Sequence, residues 1–199
     1  MSTISVKKRT PSIHPKKFGL WLGLGSIVMM FAGLTSAFIV RQAQGNWTAY
    51  KLPDLFWIST VVIILSSFTL IMGERAKKQG NSSLYRRMVG LTFLLGIGFA
   101  VLQYYGWLAL ASYGIILQGN DPSGAFLYVI SGIHVVHVLA GLLFLAIFYF
   151  KTFKKVDAAE QLIEDMKPEK NLGIELLSTY WHFVGVLWLY LFFFFQYYQ

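Results

Sequence analysis

Five stretches of this 199-residue chain are too long and too uniformly apolar to serve as the core-facing side of elements folded in water. They cover residues 18–40, 55–73, 88–117, 125–152 and 172–197. Crossing about 30 Å of hydrocarbon takes roughly 20 residues of helix. Backbone N–H and C=O groups find no water in lipid, so each must be satisfied within its own segment, and the segments are therefore helices. The fold class that follows is all-α: a polytopic membrane protein, a bundle of five transmembrane helices. Only 13% of the residues are charged, half of the roughly 25% usual for a globular protein, so the bilayer takes the place of a soluble core.

The charges that remain are unevenly placed. Lys7, Lys8, Arg9, Lys16 and Lys17 precede the first span; Arg75, Lys77, Lys78, Arg86 and Arg87 lie between the second and third; Lys151, Lys154, Lys155, Lys167 and Lys170 lie between the fourth and fifth. Only Arg41 and Lys51 fall on the other side. Positive loops stay inside, so the pattern predicts a cytoplasmic N-terminus and an outside C-terminus. The net charge of +8 is thus an orientation signal, and nucleic acid is not expected as a partner. Residues 1–17, basic and interrupted by Pro11 and Pro15, read as a flexible cytoplasmic arm, and residues 18–199 as the five-helix transmembrane domain. Trp47 and Tyr50 in the first outer loop read as interfacial anchors, and residues 157–166 as an amphipathic turn or two at the surface.

With no soluble domain left over, any chemistry falls on polar groups inside the spans. An ionisable side chain there opposes insertion by about 2.5 to 3.5 kcal/mol, which makes Glu175, His134, His137 and His182 the first residues to account for. At 3.6 residues per turn Glu175, Ser178, Thr179, His182 and Gly185 share one face of the fifth helix, and His134, His137 and Gly141 one face of the fourth. Imidazole ligates iron, copper and zinc, so a membrane cytochrome or metalloprotein using these histidines is one reading. Such a site needs convergent ligands from facing helices, and a pair with one distant histidine matches it weakly. The alternative is that each polar group links helices or meets a lipid headgroup. For Glu175, in the first turn of its helix, the macrodipole already favours a carboxylate. There is no cysteine, so disulfides and thiolate metal sites are excluded, and no Ser/His/Asp set, phosphate loop or paired carboxylate appears in any span.

Small residues mark where helices approach closely, because lipid gives apolar side chains no reason to associate. Gly19, Gly23, Ser26, Met30, Gly33 and Ala37 form such a stripe on the first helix, and Thr92, Gly96, Phe99, Gln103 and Gly106 align on the third. Gly19, Gly23, Ser26, Gly33, Gly96, Gln103 and Gly141 are the expected helix-packing residues.

Glu175 with Tyr180-Trp181-His182-Phe183-Val184 and Trp188, taken with Ser131-Gly132-Ile133-His134-Val135-Val136-His137-Val138 and Gly141, resembles subunit III of the heme-copper oxidases that reduce oxygen in respiratory chains. Gly25-Ser26, Phe31-Ala32-Gly33, Leu65-Ser66-Ser67, Leu94-Leu95-Gly96, Phe99 and Gln103 extend the match, which runs from about Phe18 to the C-terminus. The five spans fit a short bacterial form without the first two of seven helices. The resemblance implies a non-catalytic accessory subunit in a bacterial inner membrane, without redox centres of its own, packed on the catalytic subunit I that carries the hemes and copper. Other oxidase subunits, and a respiratory supercomplex, are implied as further partners. It also implies structural phospholipid in a cleft between the first helix pair and the rest, and a link to sustained turnover and proton uptake. Carried over by position, Glu175, Trp181 and His182 make the internal polar and lipid contacts, with His134 and His137 supporting the fourth helix and ligating no metal. Where members of that family often carry carboxylates, this chain has Ile27, Gly106 and Gly185, so a carboxylate-specific part in proton uptake is not implied there.

Overall fold

The computed structural model describes residues 14–45, 47, 49–117, 122–151 and 172–198. Five helices account for nearly all of them: α1 (Pro15–Ala43), α2 (Asp54–Lys78), α3 (Ser82–Ser112), α4 (Pro122–Lys151) and α5 (Leu172–Tyr197). Each is long and apolar enough to cross a membrane, and there is no strand among the described residues. The stretch 157–166 lies outside the described residues, as does most of the arm 1–17.

Several helix ends depart from the limits of the apolar stretches because helix ends are set by capping, not by hydropathy. The α2 helix continues beyond Gly73 through Glu74, Arg75, Lys77 and Lys78, and stops where Gly80 takes φ +74°. Gly80 N–H then bonds Lys77 O and Asn81 N–H bonds Ala76 O, the two bonds of a Schellman ending that a side chain at position 80 would strain. The third helix departs most from expectation, beginning at Ser82 rather than 88 and ending at Ser112 rather than 117. At its start the Asn81 side chain accepts the Leu84 N–H at 3.0 Å. At its end Gly114, φ +83°, repeats the Schellman pattern through Ile115 N–H to Leu110 O. Asn81→Ala is expected to cost about 1 kcal/mol, read as a lower unfolding midpoint of the purified protein, because the cap is the sole partner given to the Leu84 N–H. At the other end of the chain's first helix, Pro15 occupies the first helical position after His14, whose Nδ1 accepts the Lys16 N–H at 3.3 Å, so α1 includes three residues assigned to the arm.

In architecture, α2 packs on α3, α3 on α4, α4 on α5 and α5 on α2, which closes a ring of four; α1 leans on α4 and α5 from outside. Among the described residues α1 makes no close backbone approach to α2 or α3. Half of the α5 span is buried, against 22% to 33% for the others, so α5 is the element around which the bundle is built. Its Trp181, Trp188, Phe192 and Phe195 meet Phe31 and Phe38 of α1, Phe56 of α2 and Phe99 of α3 in one core.

Trp47 and Tyr50 are not placed as interfacial anchors. Tyr50 is buried, and the Trp47 ring packs edge-on against Phe38 with centroids 4.6 Å apart. The loop between α1 and α2 folds over that end of the bundle, giving these aromatics protein rather than headgroups as neighbours.

Candidate functional site

Trp181 sits at the crossing of four helices. Its indole lies between two positions without side chains: a Cβ on Gly96 of α3 would stand 2.7 Å from Trp181 Cη2, and one on Gly141 of α4 would stand 3.0 Å from Cε3. The ring N–H crosses to α2 and donates to Ser66 Oγ at 3.1 Å. Two turns further along α5, Trp188 donates to Thr60 Oγ1 of α2 at 2.9 Å. Both hydroxyls give their own proton to carbonyls of α2, Ser66 to Ile63 O and Thr60 to Phe56 O. A hydroxyl has one proton and two lone pairs, so this arrangement satisfies the backbone-facing donor and leaves an acceptor for the neighbouring helix.

The same device recurs around the ring. Gln103 Nε2 of α3 donates to Ser59 Oγ of α2 at 2.8 Å while Ser59 donates to Phe56 O. Trp107 Nε1 of α3 donates to Ser131 Oγ of α4 at 3.0 Å while Ser131 donates to Leu127 O. Tyr180 of α5 donates to the His137 carbonyl at 2.9 Å. Thr35 of α1 and Tyr190 of α5 share a bond at 3.1 Å. Interhelical hydrogen bonds in lipid are worth about 0.6 to 1.7 kcal/mol each, so together they fix which helices pair and in what register. Ser59, Thr60, Thr35 and Tyr190 were not singled out from the sequence, and Ser66 and Ser131 entered only as part of the subunit III resemblance. The two indoles lie seven residues apart and their acceptors Thr60 and Ser66 six, so the pairing follows no common spacing that the sequence displays.

The four ionisable groups are placed differently from one another. His134 is fully buried with neither ring nitrogen hydrogen-bonded, held edge-on by Phe31 and Phe99 and lying over Trp188 at 5.2 Å between centroids. His137 bonds back to Ile133 O at 2.8 Å through Nδ1 and packs its ring on Phe31 at 5.9 Å, so the pair three residues apart shares one aromatic neighbour on α1. Glu175 pairs with Lys17 of α1 at 2.6 Å. Both partners are substantially exposed, which limits the pair to no more than about 1 kcal/mol. His182 turns away from the others, toward a groove between α2 and α5. Among the described residues no three of His, Cys, Asp and Glu come together as metal ligands.

Of the small residues, Gly96, Gly141 and Gln103 face the core, but the α1 stripe does not. Gly19, Gly23, Ser26 and Gly33 are exposed, and no atom lies within 4 Å of a Cβ built on any of the three glycines. The face that α1 turns inward carries Leu24, Phe31, Thr35 and Phe38. At Gly106 the space is filled by Phe56, whose Cε2 would be 2.8 Å from a Cβ, which explains why no longer side chain stands there.

Five membrane-length helices joined by hydroxyl and indole hydrogen bonds, with a small-residue face of α1 left uncovered among the described residues, define the class of polytopic helical membrane proteins. The comparisons with known proteins make that class particular. The family model for cytochrome c oxidase subunit III matches residues 3–199. A probable cytochrome c oxidase subunit 3 of Mycobacterium tuberculosis strain H37Rv is 32% identical over 180 residues, covering 87% of this chain and 83% of that one. The cytochrome c oxidase subunit 3 of Corynebacterium diphtheriae is 31% identical over 176 residues, covering 85% and 81%. That of Synechocystis sp. is 27% identical over 186 residues, covering 90% and 75%. The chain belongs to the cytochrome c oxidase subunit III family. It is an accessory subunit of a heme-copper oxidase, and the hemes and copper belong to other subunits of that complex.

Proposed function

We propose that this chain packs on the catalytic subunit of a respiratory terminal oxidase in a bacterial inner membrane, with its basic end cytoplasmic, and stabilises that subunit with bound phospholipid. The observation that carries the lipid part is a cleft of about 330 Å³ at the basic end, between α1, α4 and α5. Leu20, Phe144, Phe148 and Leu177 give it an apolar wall, and Lys16 stands at its rim. An acyl chain against the phenyl rings with an anionic headgroup at Lys16 satisfies both halves of that surface. The orientation rests on the distribution of Lys and Arg, with Lys16, Lys17, Lys77 and Lys78 all at that end.

Gly19, Gly23, Ser26 and Gly33 then pack against a helix of another subunit, because among the described residues no helix covers them. Glu175, Trp181, His134 and His137 hold the bundle that presents the cleft, and none takes part in electron transfer. Removing this chain from the oxidase is expected to leave initial oxygen consumption in place and to shorten its lifetime during continuous turnover. The assay is an oxygen-electrode trace of the depleted and complete enzymes; equal lifetimes would refute the stabilising role.

A further inference from the structure

The open side of α5 between α1 and α2 carries a polar pair that nothing among the described residues satisfies. The α1 helix clasps α5 through Lys17 with Glu175 at one end, and through Thr35 with Tyr190, Phe38 with Phe194 and Gln42 with the Tyr198 carbonyl toward the other. The α2 helix holds the far edge of α5 through Ser66 and Thr60. Because α1 and α2 do not approach each other closely, the stretch of α5 between the clasps faces outward, with Val186 64% exposed. A groove of about 220 Å³ runs there, lined by Ile63, Ser67, Phe68, His182, Gly185 and Val186. Gly185 forms its floor, and a Cβ there would already touch Ser67 Oγ at 3.4 Å. His182 and Ser67 are its polar groups, and among the described residues neither makes a hydrogen bond.

Depth decides what can cover them. Glu74, Lys77, Lys78 and Glu175 line a second hollow at the basic end, marking the level where charge meets headgroups. His182 lies seven residues from Glu175, and Ser67 seven from Glu74, so both sit about 10 Å deeper along their helices. Acyl tails carry no hydrogen-bonding group, and lipid esters and phosphates stay at the surface. An imidazole left bare at that depth costs free energy that a polar side chain on a neighbouring helix recovers.

We propose that this α2/α5 groove receives a transmembrane helix of another subunit of the same oxidase, one that carries a hydrogen-bonding side chain opposite His182. The inference rests on the reading that the chain packs within such a complex, and adds the face and the chemistry of the contact. The small floor at Gly185 and Ser67 lets the incoming helix approach closely, as small residues do in membrane interfaces generally.

The test uses the intact oxidase purified through a tag on this chain, with the photocrosslinker p-benzoylphenylalanine in place of Val186, and in a second preparation in place of Val136 on the outer face of α4. Illumination is expected to join position 186 to a transmembrane peptide of another oxidase subunit, identified by mass spectrometry. In parallel, His182→Leu is expected to lower retention of that subunit in detergent by about three- to tenfold, and His182→Asn, which keeps a donor, to restore most of it. Adducts of position 186 with lipid alone, or with a second copy of this chain, would overturn the groove assignment while a co-purifying heme subunit leaves the wider reading standing. A wild-type preparation devoid of heme subunits would remove both.

Discussion

Trp181→Ala is expected to destabilise the protein by about 3 to 5 kcal/mol, the range for removing a large buried aromatic, and to be among the most damaging single truncations in the chain. The indole fills the space between Gly96 and Gly141 and reaches Ser66, so its loss opens a cavity bounded by α2, α3, α4 and α5 together. None of those helices can close the gap without giving up contacts to another. Ser66 itself loses little, because its proton still goes to Ile63 O. Trp181→Phe keeps one six-membered ring but loses the fused pyrrole ring with part of the packing, together with the N–H contact, worth about 0.6 to 1.7 kcal/mol, so it should fall between the parent and alanine. Thermal unfolding midpoints of the two variants, followed by size-exclusion fluorescence, should rank alanine well below phenylalanine. Equal shifts would mean that the hydrogen bond, not the volume, holds the crossing.

The converse change should be comparably severe. Gly96→Val places a Cβ 2.7 Å from both Leu142 Cδ2 and Trp181 Cη2, and a branched side chain extends the clash. Leu142 can rotate its terminal methyl aside. Trp181 cannot yield, because Gly141 contacts its other edge and Ser66 holds its nitrogen. Overpacking of this kind costs about 1 to 3 kcal/mol where side chains adapt, and more where they do not. Gly98 on the same helix supplies the control, since nothing lies within 4 Å of a Cβ there. Gly98→Val is expected to fold and assemble normally, whereas Gly96→Val should lower the yield of folded protein and its unfolding midpoint. A Gly96→Val protein as stable as the parent would show that the crossing is looser than these distances require.

What the sequence revealed and what it hid divide along one physical line. The spans were legible because the cost of unpaired backbone in lipid leaves a single solution for long apolar runs. Helical spacing grouped Gly96 with Gln103 and Gly141 with the two histidines, and the subunit III motif drew attention to Trp181, but only the distances show the three meeting at one crossing. The direction of the α1 stripe was not. In water a helix declares its inner face by polarity, but in lipid both faces are apolar, so spacing groups Gly19, Gly23, Ser26 and Gly33 without saying which way they turn. The ends of α3 were misplaced for a related reason: hydropathy fades gradually, whereas Asn81 and Gly114 stop the helix through local backbone geometry. The hydroxyl acceptors on α2 escaped notice because single Ser and Thr residues sit in membrane helices at little cost by bonding their own carbonyls, and only the facing indoles give them a second task.

The central claim is that this chain belongs to a heme-copper oxidase and contributes no redox centre to it. The most direct measurement is a paired inventory: optical spectra, copper content and subunit composition of the complex recovered by a tag on this chain, and the same quantities for the chain after it is dissociated from its partners. The account predicts hemes and copper in the complex, all of them remaining with the other subunits, and none in the separated chain. Stoichiometric heme or metal travelling with the chain itself, or a tagged preparation without a heme-bearing subunit, would contradict it.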